Sequence, residues 1–155
     1  MKEISRAERA KQYFLEGYNC TQAVVKAFSD LYDGDIDTLI KISSSFGGGM
    51  GRLREVCGTV SGMFVVLGFV SGYSTPETGK VKADHYADIQ ELAQRFEKEN
   101  GAIVCRELLG LKVKYSDYIP EERTPEYYKR RPCANYVYFA ADTVDKYLKE
   151  KNIIK

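Results

Sequence analysis

Apolar residues recur along the chain with the period of a helix. No segment shows a convincing alternation of apolar and polar residues, which is the pattern of a half-buried strand. In several segments apolar positions instead lie three and four residues apart, as on the buried face of an amphipathic helix. We therefore predict an all-α fold with helices over about residues 5–16, 20–31, 37–45, 56–70, 77–100 and 102–109, and a last helix from about residue 132.

Local signals mark the ends of these helices. Asn19, with Gln22 three residues later, has the capping-box pattern at the start of the second helix. Pro132 suits the first position of the last helix. Residues 111–131 contain two prolines and show no clear period. Because a loop of this length is uncommon in a compact domain, we expect it to be functional, partly helical or held against the surface.

The most apolar segment, residues 56–70, is interrupted by glycines and a serine. It is shorter than the ~20 residues that a membrane span needs, so we predict a buried central helix and no membrane partner. Gly58 and Gly62 are four residues apart, a spacing that lets a neighbouring helix come close. The N-terminus carries charges of both signs and lacks the apolar core of a secretory signal, which predicts a cytoplasmic protein.

Length and composition favour one globular domain. The chain has 155 residues, of which 44% are hydrophobic and 29% charged, as in an ordinary folded domain. We find no internal repeat and no low-complexity tract in it. We predict a single-domain bundle of about six to seven helices over residues 1–155, with the buried, glycine-containing helix at its centre.

The charge balance argues against a nucleic-acid partner. Lys and Arg number 23 and Asp and Glu 22, whereas nucleic-acid binding depends on excess positive charge. A non-catalytic interaction module is still an alternative, because tyrosines cluster beside Lys129-Arg130-Arg131. We favour the interpretation that half of them cover the core and the rest lie on the loop: Tyr115, Tyr118, Tyr127, Tyr128, Tyr136 and Tyr138. Spare tyrosines on a helical surface are compatible with a homodimer.

Four cysteines are more than a chain of this size needs for stability. None forms a C-x-x-C pair, which argues against zinc-finger and thioredoxin-type motifs; they are Cys20, Cys57, Cys105 and Cys133. In a reducing compartment such cysteines are more often metal ligands or redox-active than disulfide-bonded. The alternative is that they are four small buried hydrophobic residues.

Each cysteine lies at or near the predicted start of a helix. A helix N-terminus presents free N–H groups and a partial positive charge. Arginines are also close in sequence, namely Arg52, Arg54, Arg106, Arg130 and Arg131. Because both effects lower the pKa of a thiol, we expect thiolate character at these positions.

Residues 47–52 read Gly-Gly-Gly-Met-Gly-Arg. Arg52 takes the place of the last glycine of a dinucleotide fingerprint, and the Gly-Lys-Ser/Thr of a P-loop is missing. We expect a sharp turn whose glycines adopt positive φ and let the backbone approach the cysteines closely. An anion-accepting nest beside Cys57 is the second interpretation.

Several pieces of the chain, in this order, resemble one family. Residues 57–62 read Cys-Gly-Thr-Val-Ser-Gly and resemble the C-G-A-x-x-G motif of the redox-active proteins known as the C_GCAxxG_C_C family. Thr59 stands where that motif has alanine, one small residue for another. Residues 19–24 and 46–51, together with Cys105 and Cys133, extend the likeness over about residues 17–140.

The resemblance implies an all-helical fold and a redox role for the four cysteines, with no established substrate. We expect them to converge on one catalytic site for thiol–disulfide or electron-transfer chemistry with an unknown redox partner. Cys57 is the expected central cysteine, because the glycine loop and Gly58 leave its surroundings open. Gly48, Gly49 and Gly58 are the expected cofactor-binding residues.

Metal binding is the alternative for the same four cysteines. The resemblance extends to domains of iron–sulfur and haem electron-transfer proteins, and four thiolates suit either an Fe–S cluster or zinc. The chain lacks the C-x-x-C-H attachment site of a c-type haem. His85, the one histidine, falls in a charged helix start, where we expect a surface residue and not a ligand.

Overall fold

A computed structural model describes residues 2–76 and 79–155. This part of the chain is helical and contains no strand, which confirms the all-α prediction. The helices are α1 (Arg6–Leu15), α2 (Cys20–Ala27), α3 (Ile36–Ser43), α4 (Gly58–Ser71), α5 (Lys80–Asn100), α6 (Cys105–Leu108), α7 (Pro125–Arg130) and α8 (Cys133–Glu150). Short 3₁₀ turns occupy Ser29–Leu31 and Ser44–Phe46, and Gly47–Met50 forms a tight turn. The predicted start of the fifth helix at Glu77 lies outside the described residues.

The predicted capping box at Asn19 is confirmed, whereas Pro132 lies just before the last helix and Cys133 takes its first position. The Asn19 side chain accepts the Gln22 N–H at 2.9 Å, and the Gln22 side chain accepts the Asn19 N–H at 3.1 Å. Ser5 and Glu8 form the same reciprocal pair at the start of α1. These caps satisfy N–H groups that have no partner within the helix, and they therefore fix where α1 and α2 begin.

Helix α4 is the buried centre of the bundle, as predicted. It lies against α2, α5 and α8, and α1 completes the core by packing on α2 and α8. Every residue from Gly58 to Met63 is buried, so the first half of α4 has no solvent-facing side. Each fully buried Val, Leu or Met side chain contributes about 1.5–3 kcal/mol to folding. No described helix is long and apolar enough to cross a membrane.

The predicted helix over residues 102–109 is wrong in its first half. Val104 is extended and pairs with Val56 in an isolated antiparallel bridge, so helical geometry begins only at Cys105. The same bridge delays the start of α4 to Gly58. A bridge of one residue pair leaves no alternating pattern in the sequence. The apolar residues on both sides of it therefore predict helix.

Residues 111–131 are partly helical and held against the rest of the molecule. Thr124 caps α7 by accepting the Tyr127 N–H at 3.1 Å. Ahead of α7, the Ser116 N–H donates to the Arg52 carbonyl at 3.0 Å, and Arg52 Nε donates to the Asp117 carbonyl at 2.7 Å. The loop therefore lies beside the glycine turn.

We predict opposite effects for two glycines of α4. A Cβ on Gly62 would lie 2.9 Å from Cβ of the fully buried Val24 in α2, whereas a Cβ on Gly68 meets nothing within 4 Å. We expect Gly62→Ala to lower the free energy of unfolding by about 1–3 kcal/mol through overpacking. Gly68→Ala should raise it by about 0.5–1 kcal/mol, because alanine is the better helix former. Urea unfolding measures both, and equal effects would contradict the close packing of α2 on α4.

Candidate functional site

The antiparallel bridge brings two cysteines together. The Cys57 N–H donates to the Ile103 carbonyl at 2.7 Å, and the Cys105 N–H donates to the Glu55 carbonyl at 2.6 Å. Successive side chains along an extended segment point to opposite sides. Cys57 follows Val56 and Cys105 follows Val104, the two valines of the bridge. The two cysteine side chains therefore lie on the same side of the bridge, opposite to the valine side chains.

The N-terminal ends of α2 and α4 meet at the third cysteine. Thr21 Oγ1 donates to the Gly58 carbonyl at 2.8 Å, which ties the two helix starts together. A Cβ on Gly58 would collide with Cys20 Sγ and would lie 2.7 Å from Thr21 Oγ1. Only glycine at position 58 therefore allows the Cys20 sulfur to lie against the start of α4.

The glycine turn approaches the cysteines as expected. Gly48 and Gly49 have φ of 70° and 69°, in the left-handed region that favours glycine. A Cβ on Gly49 would lie 2.6 Å from Cβ of Cys105. The Gly48 N–H faces the Cys20 sulfur, so the turn directs a backbone donor at Cys20 and not at Cys57.

All four cysteines line one cavity of about 60 Å³. Cys57 and Cys105 reach it from the two sides of the bridge, and Cys20 reaches it from the start of α2. Cys133, the first residue of α8, is the fourth. Cys57 and Cys105 are buried and Cys20 and Cys133 are half-buried, all as free thiols. The expectation that the surroundings of Cys57 are open is wrong, since that residue is only 7% exposed.

The predicted position of each cysteine at a helix start is confirmed, but the predicted thiolate character is wrong for three of them. Burial raises the pKa of Cys57 and of Cys133 to about 12, and it also raises the pKa of Cys20. Neighbouring thiols raise these pKa values further, with Cys20 acting on both Cys57 and Cys133. Loss of solvent raises the pKa of these thiols more than the helix N-termini and the arginines lower it, because desolvation disfavours the charged form.

One arginine contacts a thiol directly. Arg54 is only 5% exposed, and its Nη1 lies 3.6 Å from Cys105 Sγ. Its Nε donates to Ser116 Oγ at 2.9 Å. Sequence proximity associated Arg54 with Cys57, whereas the structure places its guanidinium on the cysteine across the bridge.

The other arginines divide between the cavity and its surroundings. Arg131 lines the cavity and lowers the pKa of Cys133 against the larger effect of burial. Arg106 and Arg130 instead form ion pairs with Glu55 and Glu121. Arg123 also lines the cavity, although the sequence does not single it out. It lies in the aperiodic segment, where no pattern indicates which side chains face inward.

Most of the clustered tyrosines lie where we expect them, either over the core or on the loop. Tyr127, Tyr128 and Tyr136 pack against the core, and Tyr115 and Tyr118 are exposed on the loop. Tyr127 and Tyr136 also line the thiol cavity, a position that the sequence did not indicate. Tyr138 is exposed on α8. His85 is half-buried beside Tyr73 and does not line the cavity.

The thiols are of the right kind for zinc or an Fe–S cluster but are not arranged for one. Within residues 2–76 and 79–155, no group of three or more His, Cys, Asp or Glu side chains is placed to hold a metal ion. The Cys57 sulfur faces Thr59 Oγ1 at 3.2 Å, and the Cys105 sulfur faces Arg54. The residues therefore do not fit a bound metal in this arrangement.

Fold and site together define an all-helical protein whose four thiols share one cavity. A family described as "Putative redox-active protein (C_GCAxxG_C_C)" matches residues 18–147. The chain belongs to this family. No curated protein and no solved structure matches the chain.

The raised pKa of Cys57 predicts how stability changes with pH. The thiol titrates near pH ~8.5 in an unfolded chain and near pH 12 in the fold, chiefly because of burial. The folded state holds this proton more tightly, so the stabilisation is complete below pH ~8.5 and is lost as the pH rises toward 12. Each thiol of this kind lowers the free energy of unfolding by up to about 1.4 kcal/mol per pH unit in that window.

Urea unfolding of the reduced protein and of Cys57→Ser between about pH 7 and pH 10 measures this effect. Serine does not titrate in this range, and the other alkaline groups are common to both chains. We therefore expect the native chain to lose stability more steeply above pH ~8.5 than the variant. Parallel pH profiles would show that Cys57 is not held as a buried, protonated thiol.

Proposed function

We propose that this chain is a redox-active dithiol protein that exchanges two of its thiols with a disulfide substrate. The observation that supports this proposal is the convergence of four free cysteines, far apart in sequence, on one small cavity. Structural cysteines have no need to meet in this way, whereas thiol–disulfide exchange needs an attacking and a resolving sulfur within reach of each other.

Cys105 is the proposed attacking residue. Its sulfur is the one that a buried guanidinium contacts, so a positive charge lies beside the sulfur that would carry negative charge during the attack. Cys57 and Cys133 are poor candidates for the first attack, since pKa values near 12 leave them protonated at neutral pH. They remain thiols in the proposed first step.

Cys20 is the proposed resolving residue. It is half-buried and lines the same cavity as Cys105, with its sulfur against Gly58 at the start of α4. In this proposal Cys105 and Cys20 are the reacting pair, and Cys57 does not have the central role expected for it. The Gly48 and Thr21 N–H groups lower the pKa of Cys20 against burial and would stabilise negative charge on its sulfur as it reacts.

The exchange balances in two steps. The Cys105 thiolate attacks one sulfur of the substrate disulfide, forms a mixed disulfide and releases the first substrate thiolate, which takes up a proton. The Cys20 thiol then gives its proton to the second departing sulfur and attacks Cys105 Sγ. The protein is oxidised to a Cys20–Cys105 disulfide, and the substrate is reduced to two thiols.

The glycines proposed as cofactor-binding residues have a different role in this scheme. Gly49 and Gly58 leave room for Cys105 and Cys20 by lacking a Cβ, and Gly48 supplies a backbone donor. We propose that they shape the thiol cavity and bind no cofactor.

Disulfide mapping after mild oxidation tests the proposal. One equivalent of diamide, which takes up both hydrogens when two thiols couple, is added to the reduced protein before free thiols are alkylated. Lysine or arginine residues separate every pair of cysteines, so trypsin places each on its own peptide. We expect an intramolecular Cys20–Cys105 link as the first product.

Matched serine variants identify the roles. Cys105→Ser and Cys20→Ser should abolish this first link, whereas Cys133→Ser should leave it in place, because Cys133 is outside the proposed pair. Unfolding midpoints of the reduced variants control for misfolding. If the reduced native protein forms no intramolecular disulfide, or its first link leaves out Cys105, the assignment is wrong.

A further inference from the structure

A second, larger pocket of about 190 Å³ adjoins the thiol cavity. The two share a wall that includes Arg54, Arg123 and Arg131, and Arg52 lines the outer pocket alone. We call this outer pocket, with its four guanidinium groups, the arginine vestibule. A single carboxylate, that of Glu121, lines it as well.

Two of the four guanidinium groups in the vestibule have no carboxylate partner among the described residues. Arg54 and Arg123 form no ion pair among residues 2–76 and 79–155, although Arg54 is buried. Arg52 meets Asp117 only at 3.7 Å, and Arg131 pairs with Glu121. A charge removed from water without an opposite charge is costly, so uncompensated arginines at one pocket favour an anion there.

Arg123 is held in place without being neutralised. Its guanidinium lies 4.3 Å from the centre of the Phe14 ring and donates to the carbonyls of Phe14 and Tyr18 at 3.2 and 3.3 Å. Rings and carbonyls orient the group but carry no net charge. Arg131 adds a buried Nε that has no hydrogen-bond partner in the described part of the chain.

The thiols in the inner cavity do not supply the missing negative charge. Burial keeps Cys20, Cys57 and Cys133 protonated at neutral pH, so at most the sulfur beside Arg54 offsets one guanidinium. The vestibule therefore keeps an excess of positive charge next to the cysteines.

We infer that the substrate is a small anionic disulfide whose carboxylate groups bind in the arginine vestibule while its sulfurs reach the thiol cavity. Planar guanidinium groups match carboxylates with paired N–H donors. This inference rests on the proposed thiol–disulfide exchange and adds the substrate class to it.

A series of three disulfides that differ chiefly in charge tests the inference. Reduced protein is mixed with 3,3′-dithiodipropionate (anionic), 2-hydroxyethyl disulfide (neutral) or cystamine (cationic), and formation of the protein disulfide is timed. A free thiolate repels the anionic disulfide and attracts the cationic one. The unfolded protein in urea should therefore react fastest with cystamine. We expect the folded protein to reverse this order and to react on the order of tenfold faster with the anion than with the neutral disulfide at low salt. High salt should shrink that ratio.

Charge-matched variants locate the effect. Arg52→Gln and Arg95→Gln remove the same charge, but Arg95 pairs with Glu91 and Glu150 outside the vestibule. We expect Arg52→Gln to lower the anion-to-neutral rate ratio several-fold and Arg95→Gln to leave it unchanged. Glu121→Gln should raise the ratio. Unfolding midpoints of the reduced variants, compared with that of the native chain, control for folding.

A redox-independent measurement separates the two proposals. The thioether 3,3′-thiodipropionate carries the same carboxylates but cannot exchange, and its binding to the reduced protein is measured by calorimetry. We expect binding that weakens in Arg52→Gln. Binding of the thioether without disulfide formation by any oxidant would refute the redox proposal and keep the anion site. Disulfide formation with no preference for the anion, or with cystamine fastest, would refute the anion site and keep the redox proposal.

Discussion

The close approach of glycine backbone to two sulfurs is the constraint on which the site depends. Gly58 lies against Cys20 and Gly49 against Cys105, each where a Cβ would collide. These two contacts join the start of α2 to the start of α4 and the glycine turn to α6. Since α4 is also the buried centre of the bundle, the same packing that stabilises the fold positions the thiols.

Burial raises the pKa of a cysteine thiol and nearby positive charge lowers it. At three of the four cysteines the effect of burial is the larger. The pKa values of Cys20, Cys57 and Cys133 are raised although each lies at a helix start. Of the four sulfurs, that of Cys105 alone is in contact with a guanidinium among the residues that the structure describes. In our proposal this difference gives the four cysteines different roles, with Cys105 as the nucleophile, Cys20 as the resolving thiol, and Cys57 and Cys133 outside the reacting pair.

Periodicity and capping predict the bundle well, because both depend on residues a few positions apart. The Asn19–Gln22 cap, the buried glycine-bearing α4 and the cysteines at helix starts are therefore readable from the sequence. The bridge between Val56 and Val104 is not, since it joins segments far apart in the chain. The thiol pKa values and the inward position of Arg123 were missed for a related reason. Both depend on burial by elements that meet only in the folded protein, and local sequence carries no measure of it.

Equilibration of the protein in glutathione redox buffers, followed by acid quenching and intact mass measurement, tests most directly whether the buried thiols react with one another. We predict that the dominant oxidised species is a monomer that has lost two hydrogens, with a midpoint that does not depend on protein concentration, as expected for an intramolecular disulfide. Oxidation that yields only glutathione adducts, or disulfide-linked dimers that increase with protein concentration, would contradict the account.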